Sequence, residues 1–425
     1  GMARSPSEGW FAVEATTTTP PPDLTVEWRG RTYPAAPVAS GAAFELFSAE
    51  AAEGFSANPR PGAAYPFRGF IHSREIRGDG APVLDAPDAP LLAPLADGVT
   101  LAEIHQLSQS PHGGRAEHSL VSAVRDSARI VYGTKMIKAL SPHQAARLLQ
   151  SPACVSGVCF REHDIAHLRT PVERRVLDGD PHPADESTFA LRWRAAGSGD
   201  YASPSVGAYP GLVAMPGSDR RGPPVLGTGF VPSSRHLIPE FVTADLADLP
   251  LPDRSEILVY TPDGSEIVAF QYLSERAAWT LMAGRQWRHL LAALPGIRPG
   301  QEWFPVPDDA HIGLFGYYRG RCYPAVADPP HEFRVRAKSA AARFVVSDVI
   351  RTNMTTVWRD TPCAIAGTDD DWVRLRPLHP SEAVISDTGA ECVERGVYEC
   401  WAPGRELGEV SQHEYHYADQ PGRHL

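Results

Sequence analysis

Two histidines at helical spacing are the first residues in this sequence that could do chemistry. In residues 162–167 (EHDIAH), His163 and His167 stand four positions apart and would share one face of a helix. Histidines at this spacing bind zinc in the H-E-x-x-H proteases, whose glutamate is replaced here by Asp164. The shorter aspartate would reach a metal-bound water poorly. The pair therefore suggests metal binding at most, and ordinary surface or partly buried histidines are the alternative. We do not expect zinc as a cofactor.

A second set of candidates lies in residues 187–290. Arg192 and Arg194 stand in the run ALRWR, Ser233 and Ser234 end the segment FVPSS, and Glu275 follows a later apolar run. An arginine can bind a pyrophosphate through two parallel hydrogen bonds. A serine hydroxyl can orient a glutamate, whose carboxylate can hold a ribose hydroxyl and stabilise an oxocarbenium-like transition state.

The order of these segments resembles that of the ADP-ribosyltransferase superfamily. Those enzymes have an arginine on an early strand, an aromatic-x-Ser-Thr-Ser strand and a late catalytic glutamate. The resemblance implies that Arg192 or Arg194 binds phosphate, that Ser233 and Ser234 form the serine motif, and that Glu275 is the catalytic acid. It also implies NAD as the substrate.

The same residues also have a purely structural interpretation. Pro232 stands where the family has its first serine, and serines beside a proline commonly turn a chain. Glu275 would open a helix, where a carboxylate interacts favourably with the positive end of the helix dipole.

Composition and missing motifs exclude several other classes of protein. The sequence contains no G-x-S-x-G, Walker A or G-x-G-x-x-G motif. Its 51 acidic and 40 basic residues give a net charge of −11, which argues against non-specific binding to nucleic acid or to anionic membranes. The six scattered cysteines indicate neither a disulfide framework nor a zinc ribbon. Since no apolar run of about 18 residues occurs, we expect a soluble, cytoplasmic protein.

An internal repeat supports a different kind of function. Residues 26–35 (VEWRGRTYPA) match residues 316–325 (GYYRGRCYPA), and a weaker third copy lies at residues 394–398 (ERGVY). This pattern predicts a strand, a tight glycine turn and a second strand, with the aromatic side chains facing inward. Small aromatic β-modules can bind peptides in grooves, so a protein partner near Tyr33 or Tyr323 is the alternative to an enzyme. The β-patterned segments also carry four tryptophans, for which an aromatic core is the structural alternative: Trp28, Trp358, Trp372 and Trp401.

Turn and capping signals predict the elements that position these residues. Two β-rich runs on either side of Pro262-Asp263-Gly264 predict a hairpin. Apolar periodicity predicts helices over residues 119–130, 141–151 and 275–294, the second of them with a Ser141/Gln144 capping box. The tail after Val410 is polar and is expected to fray.

We therefore expect a β-rich α+β fold with several domains. The expected divisions are a flexible tail (1–24), an N-terminal β-module (25–60), a mixed central domain (61–300) and a C-terminal β domain (301–425). The small flanking modules are expected to be SH3-like. Two functions stay open: a NAD-consuming transferase or NAD glycohydrolase, which could be degenerate, or a non-catalytic interaction or scaffold protein.

Overall fold

Antiparallel β-sheets dominate the computed structural model of this chain. It describes residues 24–76, 93–94, 128–178, 186–203, 230–233, 236–298, 300–307, 311–329, 332–336, 344–394 and 397–417. Short helices pack against the sheets, which confirms the expected β-rich α+β fold. The expectations for residues 1–23 and for most of the helix over 119–130 lie outside the described residues. In the described part of the chain, no helix is long and apolar enough to cross a membrane.

Five strands form the N-terminal sheet. They are β1 (Thr25–Trp28), β2 (Arg31–Val38), β3 (Ala43–Ser48), β4 (Ser56–Ala57) and β5 (Phe67–His72). The strand order is β1-β2-β3-β5-β4, and the pairing of β5 with β3 extends the sheet beyond residue 60. Trp28, Tyr33 and Phe44 belong to its buried core. Tyr33 therefore packs inside the module and does not line an exposed groove.

The central part of the chain, referred to below as the central domain, is built on one large antiparallel sheet. Its strands are β7 (Lys135–Leu140), β9 (Val158–Arg161), β10 (Thr188–Arg194), β11 (Tyr201–Ala202), β14 (Phe241–Thr243), β16 (Glu256–Tyr260), β17 (Glu266–Leu273), β18 (Ala278–Leu281) and β19 (Trp303–Pro305). Their order is β11-β14-β9-β7-β10-β16-β17-β18-β19. β16 and β17 form the predicted hairpin around Asp263 and Gly264.

Two smaller sheets accompany it. One consists of β6 (Ala93–Pro94), β12 (Phe230–Ser233) and β13 (His236–Pro239). The other pairs β8 (Cys154–Val155) with β15 (Leu249–Pro250).

Helices cover both faces of the central sheet, so its strands are apolar on both sides. Helix α1 (Pro142–Gln150) has the predicted Ser141/Gln144 capping box and packs with Phe189 and Leu191 of β10. Helices α2 (Glu162–Ile165) and α3 (Pro171–Asp178) lie on the opposite face, over Ala190. Because side chains alternate along a strand, Arg192 lies on the α2–α3 face.

The C-terminal part of the chain, referred to below as the C-terminal domain, forms a second antiparallel sheet. Its strands are β20 (Ile312–Tyr318), β21 (Arg321–Ala327), β22 (Phe333–Val335), β23 (Ser347–Trp358), β24 (Thr361–Asp369), β25 (Trp372–Pro377), β26 (Glu391–Glu394), β27 (Val397–Pro403) and β28 (Ser411–His416). The order is β22-β21-β20-β23-β24-β25-β27-β26, and β28 pairs with β23. Helix α4 (Glu382–Thr388) lies between β25 and β26. The 3-10 helices are Ala39–Gly41, Ser73–Glu75, Ser198–Asp200, Ala244–Leu246, Ser274–Arg276, Arg285–Ala293 and Gly404–Glu406.

The repeated sequence forms the tight hairpins that were expected. Arg29 and Gly30 have positive φ of 51° and 74°, and Arg319 and Gly320 have 48° and 75°, as a two-residue type I′ turn requires. The arginine of each turn lies over the preceding aromatic ring, at 4.1 Å and 5.2 Å from the ring centroid. The third copy also pairs as a hairpin, with Glu394 opposite Val397.

Residues 358–361 form a further hairpin of the same kind, which the sequence repeat did not predict. Trp358 and Thr361 pair across Arg359 and Asp360, whose φ values are 49° and 59°. The Arg359 guanidinium lies 4.3 Å from the Trp358 ring centroid. Because Asp360 stands where the repeat has glycine, this segment does not match the repeated sequence.

The single helix predicted over residues 275–294 is wrong. The chain enters a left-handed turn at Ala277 (φ 46°) and continues as β18, followed by the 3-10 helix Arg285–Ala293. Trp279 is fully buried in β18 and packs against Tyr272 of β17. Cross-strand packing of this aromatic pair overrides the helical periodicity.

The C-terminal tail is ordered through residue 417, which corrects the expectation that it frays. Strand β28 pairs with β23, and Tyr417 is 2% exposed. The Tyr417 hydroxyl donates a hydrogen bond to Asp200 at 2.9 Å. A buried tyrosine with a carboxylate partner anchors this otherwise polar segment.

Candidate functional site

Arg192 lies in a cluster of buried ion pairs. Its guanidinium contacts three carboxylates, with shortest distances of 2.6 Å to Glu256, 3.3 Å to Glu162 and 3.3 Å to Glu266. These carboxylates come from α2, β16 and β17, and the Arg192 side chain is 15% exposed. The donors of Arg192 are therefore directed at protein carboxylates.

Glu266 is the most buried carboxylate of this cluster. It accepts a hydrogen bond from Tyr260 at 2.7 Å, and Arg169 lies 3.6 Å away. Burial alone would raise the pKa of Glu266, but Arg192 and Arg169 outweigh it and hold the pKa below its ordinary value. Arg174 stacks over the Tyr260 ring at 3.8 Å. The arrangement stabilises a buried anion and holds α2 and α3 against the sheet.

The other residues of the suggested transferase site have separate surroundings. The Arg194 guanidinium donates to the carbonyl of Gly133 at 3.1 Å. Ser233 lies in β12, which belongs to a different sheet from that of Arg192, and Ser234 lies outside the described residues. Glu275 follows β17 and is 4.0 Å from Arg334 of the C-terminal domain. The described contacts of Arg192 and Glu275 thus involve different partners.

The suggested metal pair is divided by the end of a helix. Helix α2 ends at Ile165, so His163 lies within it and His167 follows in the next turn. The His167 ring packs edge-on against His72 of β5, and His72 Nε2 lies 2.7 Å from the carbonyl of His163. Among the residues that the structure describes, no group of three or more His, Cys, Asp or Glu residues could hold a metal ion. The two histidines lie at the contact between the N-terminal sheet and the central domain.

Thr170 is the N-cap of helix α3. The Thr170 hydroxyl accepts from the Glu173 N–H at 3.3 Å, and the Glu173 carboxylate accepts from the Thr170 N–H at 2.9 Å. These reciprocal bonds form a capping box. The T-x-x-E pattern was visible in the sequence and could have predicted it.

A cleft between the central and C-terminal domains brings charged residues together that sequence reasoning did not connect. Its cavity has a volume of about 100 Å³. The central domain contributes β7, α1 and the loop before β15, and the C-terminal domain contributes β25, β26 and β27. The charged residues that line the cavity are Lys138, Arg147, Asp248, Arg374, Arg376, Glu394 and Glu399.

Glu399 of β27 is shared by three arginines. It lies 2.8 Å from Arg376, 3.1 Å from Arg147 and 3.8 Å from Arg374. Burial alone would raise the pKa of Glu399, but the charges of the three arginines outweigh it and lower the pKa. One carboxylate thus serves as the counter-ion for arginines from both domains.

The remaining carboxylates of the cleft have other partners. Asp248 pairs with Arg376 at 2.8 Å. Glu394 pairs with Lys138 at 2.6 Å and accepts from the Gln144 side chain at 2.8 Å. The lining therefore holds four cations and three carboxylates, a surplus of one positive charge (4 − 3 = +1).

Arg374 carries the least compensated charge in this cleft. Its Nη2 donates to the carbonyl of Ala366 at 2.8 Å, and its nearest carboxylate is Glu399 at 3.8 Å. Burial lowers the pKa of Arg374, and the nearby charges of Arg147 and Arg376 lower it further against the effect of Glu399. The Arg374 side chain is 22% exposed, so a ligand from solvent can reach it.

Two exposed tryptophans lie next to the arginines of β25. Trp372, Arg374 and Arg376 alternate along β25 on the face opposite Leu375, which is buried in the domain core. Trp401 of β27 is the direct cross-strand partner of Arg374. Trp372 and Trp401 are 50% and 48% exposed. Trp28 and Trp358 are core residues, as expected if these tryptophans form an aromatic core.

A second cavity of about 150 Å³ adjoins the first. Most of the side chains that line it are apolar, with Leu251, Leu314 and Phe315 among them, and Arg336 also lines it. It shares Pro152 and Cys154 with the charged cleft. All six cysteines lie in the described part of the chain, where none of them forms a disulfide.

We take this cleft as the candidate functional site because it combines three arginines, the Glu399 carboxylate that they share, and two exposed tryptophans next to Arg374. Comparison of the chain with protein-family models, with curated proteins and with solved structures finds no match.

Proposed function

We propose that this chain is a binding protein that takes an anionic group into the cleft between Arg147 and Arg374. The observation that carries the proposal is that these two arginines and Arg376 share a single carboxylate, Glu399. Asp248 pairs with Arg376, and Glu394 pairs with Lys138. An anion beside Arg147 and Arg374 would balance the remaining positive charge.

The partly enclosed cavity strengthens the attraction between these arginines and an anion. A surplus charge in a partly enclosed cavity attracts an anion more strongly than at an open surface, because the local dielectric constant is lower. Guanidinium groups bind phosphate and carboxylate through paired hydrogen bonds. The cavity of about 100 Å³ is suited to a group of that size. The positive lining contrasts with the net charge of −11 of the whole chain.

The NAD-consuming transferase or glycohydrolase has less support. In that proposal Arg192 binds phosphate, yet its guanidinium contacts Glu162, Glu256 and Glu266. Glu275 contacts Arg334. If the transferase proposal is right, the protein releases nicotinamide from NAD, and Glu275→Ala abolishes the release.

Recognition of a protein partner through SH3-like modules is also a proposal with less support. The turn arginines Arg29 and Arg359 lie over their own buried tryptophans, which favours a structural role for the repeated hairpin. The exposed aromatic residues next to Arg374, Trp372 and Trp401, offer a more accessible binding surface.

Calorimetric titration with inorganic pyrophosphate tests anion binding directly. The protein should bind the probe saturably, and Arg374→Met should weaken binding about tenfold or more, since hydrogen bonds to charged groups contribute about 1.5–3 kcal/mol. Arg31→Met is a matched control, because Arg31 is exposed on the distant strand β2 and the change in net charge is the same. Its affinity should equal that of the unaltered protein.

The fold should tolerate Arg374→Met. The substitution removes the hydrogen bond to the Ala366 carbonyl, but it also removes a charge that burial disfavours, as the lowered pKa of Arg374 indicates, so the unfolding temperature should change little. Arg376→Met would be a poor choice, because it leaves Asp248 and Glu399 buried without their main partner. Absence of saturable binding by the unaltered protein, or equal weakening by Arg374→Met and Arg31→Met, would overturn the proposal.

A further inference from the structure

Strand geometry places an aromatic surface next to Arg374, whose nearest carboxylate, Glu399, is 3.8 Å away. Arg374 and Trp401 are directly opposite each other on β25 and β27. Directly opposite side chains on one face have Cβ atoms about 4.5–5.5 Å apart. Trp372 lies two positions from Arg374 on the same face of β25. A ligand held by Arg374 therefore meets Trp401 first and Trp372 beside it.

These two rings are the most exposed tryptophans in the described part of the chain. Trp358 is 4% exposed in the core of the same sheet, whereas Trp372 and Trp401 each leave about half of their surface in water. Large exposed aromatic residues beside arginine are typical of binding surfaces. Stacking on such rings accepts any flat heterocycle, because every base has a π-face.

We propose that the ligand is a nucleoside phosphate whose base stacks on Trp401 and whose phosphate pairs with Arg374 and Arg147. This inference rests on the proposed anion-binding function and adds the class of ligand. The phosphate supplies the negative charge that the cleft lacks, and the base covers the exposed indole. The β25–β27 face thus provides both parts of the site within one cross-strand pair.

The apolar cavity beyond Pro152 and Cys154 is the competing destination for the rest of the ligand. A phosphate with a hydrocarbon chain would use that cavity and leave the tryptophans uncovered. Lys138 already pairs with Glu394 at 2.6 Å and donates to the carbonyl of Ser156, whereas Arg374 stands directly opposite Trp401 across the strands.

Affinities for four probes test the ligand class: ADP, inorganic pyrophosphate, adenosine and n-octyl phosphate. ADP should bind most tightly, and Trp401→Ala should weaken ADP binding on the order of tenfold while leaving pyrophosphate binding unchanged. Trp303→Ala is the matched control, because Trp303 is 37% exposed on β19 of the central sheet. It should leave both affinities unchanged, and Trp372→Ala should have an effect between the two.

The outcomes separate this inference from the function on which it rests. If pyrophosphate binds but ADP binds no better, or if Trp401→Ala and Trp303→Ala have equal effects, the nucleotide class is wrong and anion binding stands. Tighter binding of n-octyl phosphate than of ADP also overturns the nucleotide class and points to the apolar cavity. If neither pyrophosphate nor ADP binds, anion binding itself fails.

Discussion

Buried carboxylates in the central domain differ in how they respond to acid. Arg192 and Arg169 hold the pKa of Glu266 below its ordinary value of 4.5, although burial acts in the opposite direction. Burial raises the pKa of Glu173, and the amide hydrogen bonds from Thr170 and Arg169 only reduce this effect. Ionised Glu266 therefore stabilises the fold, whereas ionised Glu173 costs stability.

Glutamine at these two positions should consequently have opposite effects. The contribution of Glu266 is present above about pH 4.5, the ordinary pKa, and is lost as the pH falls through the lowered pKa. Glu266→Gln should cost about 3 kcal/mol at pH 7, because it breaks a buried ion pair. The difference from the unaltered protein should shrink as the pH falls below about 4.5.

Glu173→Gln is the matched comparison. The glutamine oxygen can still accept the amide hydrogen bonds that begin α3, and the cost of ionising a buried carboxyl disappears. Its stability at pH 7 should equal or exceed that of the unaltered protein, and the difference should vanish below the ordinary pKa. Urea unfolding at pH 7 and pH 4 measures both variants. Equal losses from both at pH 7 would contradict the assignment.

At the scale of elements, local signals predicted those parts of the fold that turn and capping residues decide. The Pro262-Asp263-Gly264 hairpin, the Ser141 helix cap and the Arg-Gly turns depend on neighbouring residues, and the structure confirms them. The helix expected after Glu275 failed because the contact of Trp279 with Tyr272 decides that segment, and it is a tertiary contact. Periodicity over a short apolar run cannot reveal such a partner.

The Arg-Gly hairpins allow a test of how turn residues contribute to stability. Asp360 occupies the second turn position with φ 59°, where the homologous Gly30 has φ 74°. Asp360→Gly should stabilise the protein by about 0.5 kcal/mol, since glycine adopts positive φ without a side-chain clash. Gly30→Ala should destabilise it by about 1 kcal/mol.

No atom lies within 4 Å of a Cβ added at Gly30, so its substitution reports on the backbone alone. The free energy of unfolding in urea measures both changes. A loss of stability in Asp360→Gly would show that the aspartate side chain has a specific role in the turn.

At the scale of the whole molecule, buried ion pairs join the C-terminal sheet to the central domain at several places. Arg334 lies 2.7 Å from Asp253, and Arg351 lies 3.3 Å from Asp200. Lys138 pairs with Glu394 at 2.6 Å in the cleft. The partners are far apart in the sequence, so no local pattern could predict them or the cleft that they surround. The sequence shows which residue types are present, but it does not show that Trp372 and Trp401 are exposed.

Tyr417 tests whether these contacts join the two domains into one unfolding unit. Its hydroxyl donates to Asp200, and burial raises the pKa of Asp200 despite this bond and Arg351. Tyr417→Phe should cost about 1–3 kcal/mol near neutral pH, because a buried carboxylate loses a donor. The cost should decrease in acid, where a protonated Asp200 no longer carries the charge that the hydroxyl stabilises.

Thermal unfolding of Tyr417→Phe at pH 7 and pH 4 measures both effects. If the domains form one unit, the midpoint of a single transition shifts, and no early transition of the C-terminal domain appears. Tyr323→Phe is a suitable control, since it removes a hydroxyl from a partly exposed position on β21. Two separate transitions would show that Asp200, Arg351 and Tyr417 join the domains only weakly. In that case the cleft between the domains would open before the central domain unfolds.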